Sequence, residues 1–123
     1  MPLNVLIIDN SAVMRKIVQR SVRLAYKGEI GDVVEAGDEQ EALDLLEGHS
    51  VSLIFSDINM PNVNDLEFLK KLKATAHRDV PVIMITTRGE EKTVMEAISL
   101  GAKGFIRKPF TADHVQEALA RAL

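Results

Sequence analysis

Five short apolar runs, each closed by a polar residue or a turn, constrain this 123-residue chain more than any other feature. They cover Asn4 to Ile8, Val33 to Ala36, Val51 to Ser56, Pro81 to Thr86 and Ala102 to Arg107. Short apolar runs bounded by turn signals read as strands buried on both faces. The stretches between them carry apolar residues at helical spacing. Met14, Ile17, Val18, Ser21 and Leu24 predict a first helix, from an N-cap at Ser11 to about Tyr26. Lys27 to Asp32 reads as a loop. Asp38, with Glu41 three residues on, predicts a capped second helix that turns Ala42, Leu43 and Leu46 inward and stops at Gly48. Asn64 and Glu67 repeat the pattern ahead of Leu66, Leu69 and Leu72. A fourth helix is expected from Glu90 to Leu100, with Val94, Ala97 and Ile98 inward and Gly101 at its end. Thr111 caps a fifth, whose Val115, Ala118, Leu119 and Ala122 share one face.

Strands alternating with helices imply an α/β fold, a parallel sheet covered on both faces. Right-handed crossovers then favour a doubly wound five-stranded sheet. Residues 1–123 are expected to form one domain, long enough to bury a core without staples. At 46% hydrophobic and 27% charged, the composition is that of a soluble globular protein. No apolar run is long enough for a bilayer, and the start Met1-Pro2-Leu3-Asn4 lacks the basic region of a signal peptide, so a cytoplasmic location is expected. The absence of cysteine removes disulfides, thiolate metal sites and cysteine nucleophiles. A net charge of −3 provides no general basic footprint for nucleic acid or anionic membrane.

In an open α/β sheet, ligands bind outside the carboxyl ends of the strands. The third run, Leu53-Ile54-Phe55-Ser56, ends there in Asp57. Asp9-Asn10 follow the first run, Thr86 closes the fourth and Lys108 follows the fifth. With the first and third strands adjacent, Asp9, Asn10 and Asp57 converge. Two carboxylates and an amide oxygen are hard ligands suited to Mg²⁺. Lys108 adds a positive charge to the rim and Thr86 a hydroxyl. Such a set serves phosphoryl transfer to an aspartate: cations neutralise the equatorial oxygens while the carboxylate attacks.

Five motifs in order carry a resemblance: Asp9-Asn10-Ser11 with Met14-Arg15, Asp57-Ile58-Asn59-Met60-Pro61, Thr86-Thr87, Gly101-Ala102-Lys103-Gly104-Phe105 and Lys108-Pro109-Phe110. Over its full length the chain resembles the receiver domains of two-component response regulators, most closely the stand-alone chemotaxis type. The resemblance implies a flavodoxin-like strand order, 2-1-3-4-5. It makes Asp57 the phosphoacceptor, supplied by a sensor histidine kinase. It assigns Mg²⁺ to Asp9, Asn10, Asp57 and the backbone carbonyl of Asn59, and gives Lys108, ahead of a cis peptide to Pro109, to the phosphoryl group. Thr86 and Phe105 would be switch residues, altering a face of the fourth helix, fifth strand and fifth helix. Asn59 and Arg88 would tune hydrolysis of the phosphoaspartate. The implied output is binding, by a monomer, to a motor component or another regulator.

Family members usually carry a second acid where this chain has Asn10. The loss of that charge implies weaker Mg²⁺ binding. Asp65 where glycine is usual, bulky Thr87 beside the switch threonine and a longer loop after the first helix are further departures. Two functions compete: a phosphorylatable switch, and a pseudo-receiver that acts as an interaction module without phosphate. Retained Asp57, Thr86 and Lys108 favour the first; Asn10 and Thr87 motivate the second. An enzyme on the same sheet has less support: aspartate-nucleophile phosphatases usually need a second acid where Asn59 stands, and no Walker or Rossmann glycine motif occurs. Phe105 reads equally as a half-buried strand residue or a switch. Arg15, Lys16, Arg20 and Arg23 read as a solvated helix face, and His49, His77 and His114 as surface residues.

Overall fold

The computed structural model describes residues 2–57, 65–86 and 91–123, with side chains for all of these except 65–67 and 91–94. The elements alternate strictly: β1 (Leu3–Ile8), α1 (Ala12–Ala25), β2 (Ile30–Ala36), α2 (Glu39–Gly48), β3 (Leu53–Asp57), α3 (Asp65–Lys73), β4 (Val82–Thr86), α4 (Glu91–Ser99), β5 (Gly104–Arg107) and α5 (Ala112–Ala122). All pairings are parallel, in the order β2-β1-β3-β4-β5. The expected doubly wound sheet is therefore present, with the implied strand order.

Alternation along the strands divides the interior in two. Val5, Ile7, Leu53, Phe55, Ile83, Ile85 and Ile106 face α1 and α5, meeting Val18, Val22, Val115, Ala118 and Leu119. Leu6, Ile8, Ile54, Val82 and Met84 face the other way, onto Ala42, Leu46, Phe68, Leu69, Leu72 and Ala97 of α2, α3 and α4. The central strands β3 and β4 are buried at every position, as continuous apolar runs require.

Three local expectations are corrected. The buried face of α1 is Val18, Val22 and Ala25, while Ile17 and Leu24 are exposed, as is Ile98 on α4. The helical period was read rightly, but of the spaced set only Val18 is buried, and the buried face runs on through Val22 and Ala25. The loop after α1 ends before Asp32, because β2 begins at Ile30. Gly31 and Asp32 look like a loop, yet they lie within β2, opposite the register shift between Leu3 and Val5 of β1. Leu3 N–H donates to Glu29 C=O at 2.8 Å, and Asp32 N–H to the Asn4 carboxamide oxygen at 2.9 Å. That amide fills the register shift between Leu3 and Val5, and a side chain on Gly31 would collide with it.

Helix ends follow the chain's own signals. Ser11 Oγ accepts from Met14 N–H at 3.2 Å, and an Asp38 carboxylate oxygen from Glu41 N–H at 2.8 Å. Gly101 closes α4 at φ +109°, with bonds from Gly101 N–H to Ile98 C=O and Ala102 N–H to Ala97 C=O at 3.0 Å each. The proposed cap at Asn64 lies outside the described residues. Thr111 caps α5 in a reciprocal box whose partner is His114: its N–H donates to Thr111 Oγ1 at 3.4 Å, and its Nδ1 accepts from Thr111 N–H at 3.2 Å. Replacing Thr111 with alanine removes the acceptor for His114 N–H. Thr111→Ala is expected to cost about 1 kcal/mol, read as a lower urea midpoint at unchanged slope.

Candidate functional site

The register of the sheet builds the site. Ile8 pairs with Ser56, so the next residues, Asp9 and Asp57, emerge side by side at the carboxyl ends of β1 and β3. Asp57 in turn pairs with Ile85, which places the end of β4 on its other flank. Lys108 follows β5. Its backbone N–H donates to Thr86 C=O at 2.7 Å, and the Lys108–Pro109 peptide is cis. From there its Nζ donates to Asp57 Oδ2 at 3.1 Å and to Asp9 Oδ2 at 3.5 Å. Both carboxylates are almost wholly buried, and the lysine side chain is only 13% exposed. Among the described residues, two buried acids thus meet one lysine.

Burial pushes the Asp9 carboxyl above its ordinary value; the Ser11 N–H, 2.9 Å from Oδ1, opposes this, repulsion from Asp57 adds to it, and Lys108 opposes it. Asn10 is exposed at the rim beside Asp9. The donors present, two carboxylates and an amide oxygen, suit a hard divalent cation that keeps several of its own waters. Among the described residues no group of three or more His, Cys, Asp and Glu side chains gathers at one point. The donor set that is present fits Mg²⁺.

Thr86 is buried at the end of β4, and Phe105 on β5 is 37% exposed. Asn59, Arg88 and Thr87 lie outside the described residues, so the structure says nothing of the implied carbonyl ligand or tuning positions. Of the sequence-derived set, Asp9, Asp57 and Lys108 meet directly, and the Thr86 backbone anchors the lysine.

One participant was missed. Arg15 was assigned to a solvated helix face, but its side chain is only 19% exposed. Its Nη1 donates to the backbone carbonyl of Asp9 at 2.6 Å, and its Nε to Glu35 Oε1 at 2.9 Å. Lys16 Nζ joins the same Glu35 at 2.7 Å, and these two cations hold the Glu35 carboxyl below its ordinary value. A basic residue in the first turn of α1, where anions are favoured, was the available signal.

A model of the response regulator receiver domain matches residues 5–120. The chain belongs to the response-regulator receiver family. Its similarity runs to chemotaxis proteins in particular. The chemotaxis protein CheY homolog of Campylobacter jejuni is 37% identical, over 98% of this chain and 92% of that one. CheY1 of Helicobacter pylori is 35% identical, over 95% and 94%. Among solved structures, the chemotaxis response regulator CheY4 of Vibrio cholerae superposes with a TM-score of 0.84 at 30% identity, over the whole of both chains. The receiver is thus CheY-like in sequence and in fold. No helix among its described residues is long and apolar enough to cross a membrane.

Proposed function

We propose that this receiver accepts a phosphoryl group on Asp57 from the phosphohistidine of a partner kinase and passes the signal on by changing a binding face, in chemotaxis. The observation that carries this reading is the buried Asp9–Asp57–Lys108 cluster, two carboxylates sharing one lysine at a strand-end recess. Asp57 is the nucleophile: its Oδ–P bond forms as the P–N bond to the donor imidazole breaks, and the imidazole leaves. Lys108, already within 3.1 Å of Asp57, is positioned to meet the negative charge of the arriving phosphoryl oxygens. Asp9, Asp57, Asn10 and the Asn59 backbone carbonyl would hold Mg²⁺, which receivers of this family generally bind. The bound metal supplies charge neutralisation at the phosphoryl group.

Thr86 offers a hydroxyl for the phosphorylated state, with Phe105 following inward. The output face then has a defined chemistry. Met95 and Ile98 on α4 and Phe105 on β5 are exposed apolar residues, at 62%, 45% and 37%. Exposed apolar side chains on these two elements suit a protein-binding surface. Phosphorylation need only favour one of two packings of this face.

The test is an amide NMR spectrum in Mg²⁺, before and after fluoroberyllate, a mimic of the phosphoryl group on aspartate. Shifts spreading from Asp57 through Thr86 to Phe105 are expected. Their absence, with recovery in Asn10→Asp, would instead favour an interaction module that works without phosphate. Asn10→Asp restores a full charge beside Asp9. A dication and a carboxylate ~4 Å apart attract by about 2 kcal/mol even at the dielectric of water. Mg²⁺ affinity is therefore expected to rise on the order of tenfold in Asn10→Asp, read by titration of amide shifts.

A further inference from the structure

Asp9 is restrained at every polar atom it has. Its N–H donates to Ala36 C=O at 3.0 Å, and its carbonyl accepts from Arg15 Nη1 at 2.6 Å. Oδ1 accepts from Ser11 N–H at 2.9 Å, and Oδ2 from Lys108 at 3.5 Å. Three of these contacts come from neighbouring backbone or from the phosphoryl-binding lysine. The Arg15 contact is different. It comes from α1 and is itself anchored on β2, because Arg15 Nε is held by Glu35.

We infer that Arg15, clamped by Glu35, is a positioning residue that sets the metal-facing carboxylate of Asp9 by gripping its backbone carbonyl. This rests on the reading of Asp9 as a metal ligand. A planar guanidinium can direct Nη1 at one acceptor and Nε at another in fixed relation; an ammonium cannot bridge the same two points with that geometry. Asp9 lies just past the last residue of β1, where the chain leaves the sheet for α1. Without the grip on its carbonyl, the peptide after Asp9 is free to rotate. That rotation would carry with it the Ser11 N–H that orients Oδ1 and Asn10 at the rim.

Glu35 also matters for charge. It neutralises a guanidinium that would otherwise stand as an uncompensated cation beside a site that must attract Mg²⁺. Lys16 pairs with the same Glu35 from a 70%-exposed side chain and has no contact with Asp9, which makes it the matched control. Partners that orient metal ligands from outside the coordination shell typically alter metal affinity by ~10–100-fold when lost.

The experiment is a Mg²⁺ titration of the whole chain, followed by amide and carboxyl chemical shifts, in wild type, Arg15→Met, Arg15→Lys, Glu35→Gln and Lys16→Met. Arg15→Met is expected to weaken Mg²⁺ binding about tenfold. Glu35→Gln should weaken it in the same direction, Arg15→Lys should fail to restore it, and Lys16→Met should leave it unchanged. Equal losses in Arg15→Met and Lys16→Met, or wild-type affinity in Arg15→Lys, would overturn the inference. Should Arg15→Met not fold, Glu35→Gln decides: wild-type affinity there overturns it. If the wild type shows no Mg²⁺-dependent shifts, the metal reading itself fails, and the metal-free spectra decide the rest. Movement of the Asp9 carboxyl and Ser11 amide signals in Arg15→Met but not in Lys16→Met supports positioning, and no movement overturns it.

Discussion

Asp57→Asn is expected to lower phosphoryl incorporation from a phosphorylated kinase or from acetyl phosphate by on the order of 10³-fold or more. The substitution keeps the shape of the side chain and an oxygen for Lys108, but removes the anionic nucleophile. Asp9, the neighbouring carboxylate, is a poor substitute. One of its oxygens is taken by Ser11 N–H, and its backbone is held at both N–H and carbonyl. The variant should nonetheless fold at least as well as the wild type. Asp57 is 4% exposed and lies beside a second acid, Asp9, so neutralising it removes the repulsion between the two. Loss of labelling by an intact, folded protein is therefore the expected result, read by intact mass and by urea unfolding together. Labelling that persists in Asp57→Asn would place the acceptor elsewhere.

Asp9→Asn is expected to stabilise the metal-free protein while abolishing its stabilisation by Mg²⁺. The Asp9 carboxyl sits above its ordinary value of 3.8, chiefly through burial. Between that ordinary value and its value in the fold, the folded state binds more protons than the unfolded state. Stability therefore falls as pH rises through this window, and above it the penalty stays in full. Asparagine carries no such penalty, and its carboxamide oxygen still accepts from Ser11. A gain of about 1 kcal/mol or more at pH 7 is expected, the scale of one close like-charge contact. The gain should shrink in acid, where the wild-type carboxyl takes up its proton. In Mg²⁺ the order reverses, because a ligand that binds only the folded state stabilises in proportion to its occupancy. Urea midpoints at neutral and acidic pH, with and without Mg²⁺, check all three statements. A less stable Asp9→Asn at pH 7 without metal would contradict the burial argument.

The two predictions rest on residues of unequal legibility. Asp57 was visible at once, because a buried run such as Leu53-Ile54-Phe55-Ser56 seldom ends in a carboxylate without cause. Asp9 and Lys108 were visible by the same rule, applied at the ends of the first and fifth runs. The distances among the three were not visible, since they follow from the pairing of Ile8 with Ser56 and of Thr86 with the end of β5. His114 is exposed, as a surface residue should be, and in addition completes the cap of α5, a role usually given to Glu or Gln.

What the sequence determined by itself was periodic and local: five strands, the helices between them, the caps at Ser11, Asp38 and Thr111, the glycine closing α4, and the polar residues stranded at strand ends. These depend on neighbours within a few positions, and the pattern of side chains states them directly. The tertiary structure alone decided the phase of α1, the early start of β2 and the turn of Arg15 into the site. The contact between Arg15 and Glu35 spans 20 positions, and that between Lys108 and Asp9 spans 99. Such contacts exist only once the crossovers and the strand register bring α1 against β2 and set the end of β5 where the Lys108 side chain can reach across to the end of β1. Chain-local preferences are the same in any fold, whereas the reach of a guanidinium or an ammonium is settled by which elements are packed together.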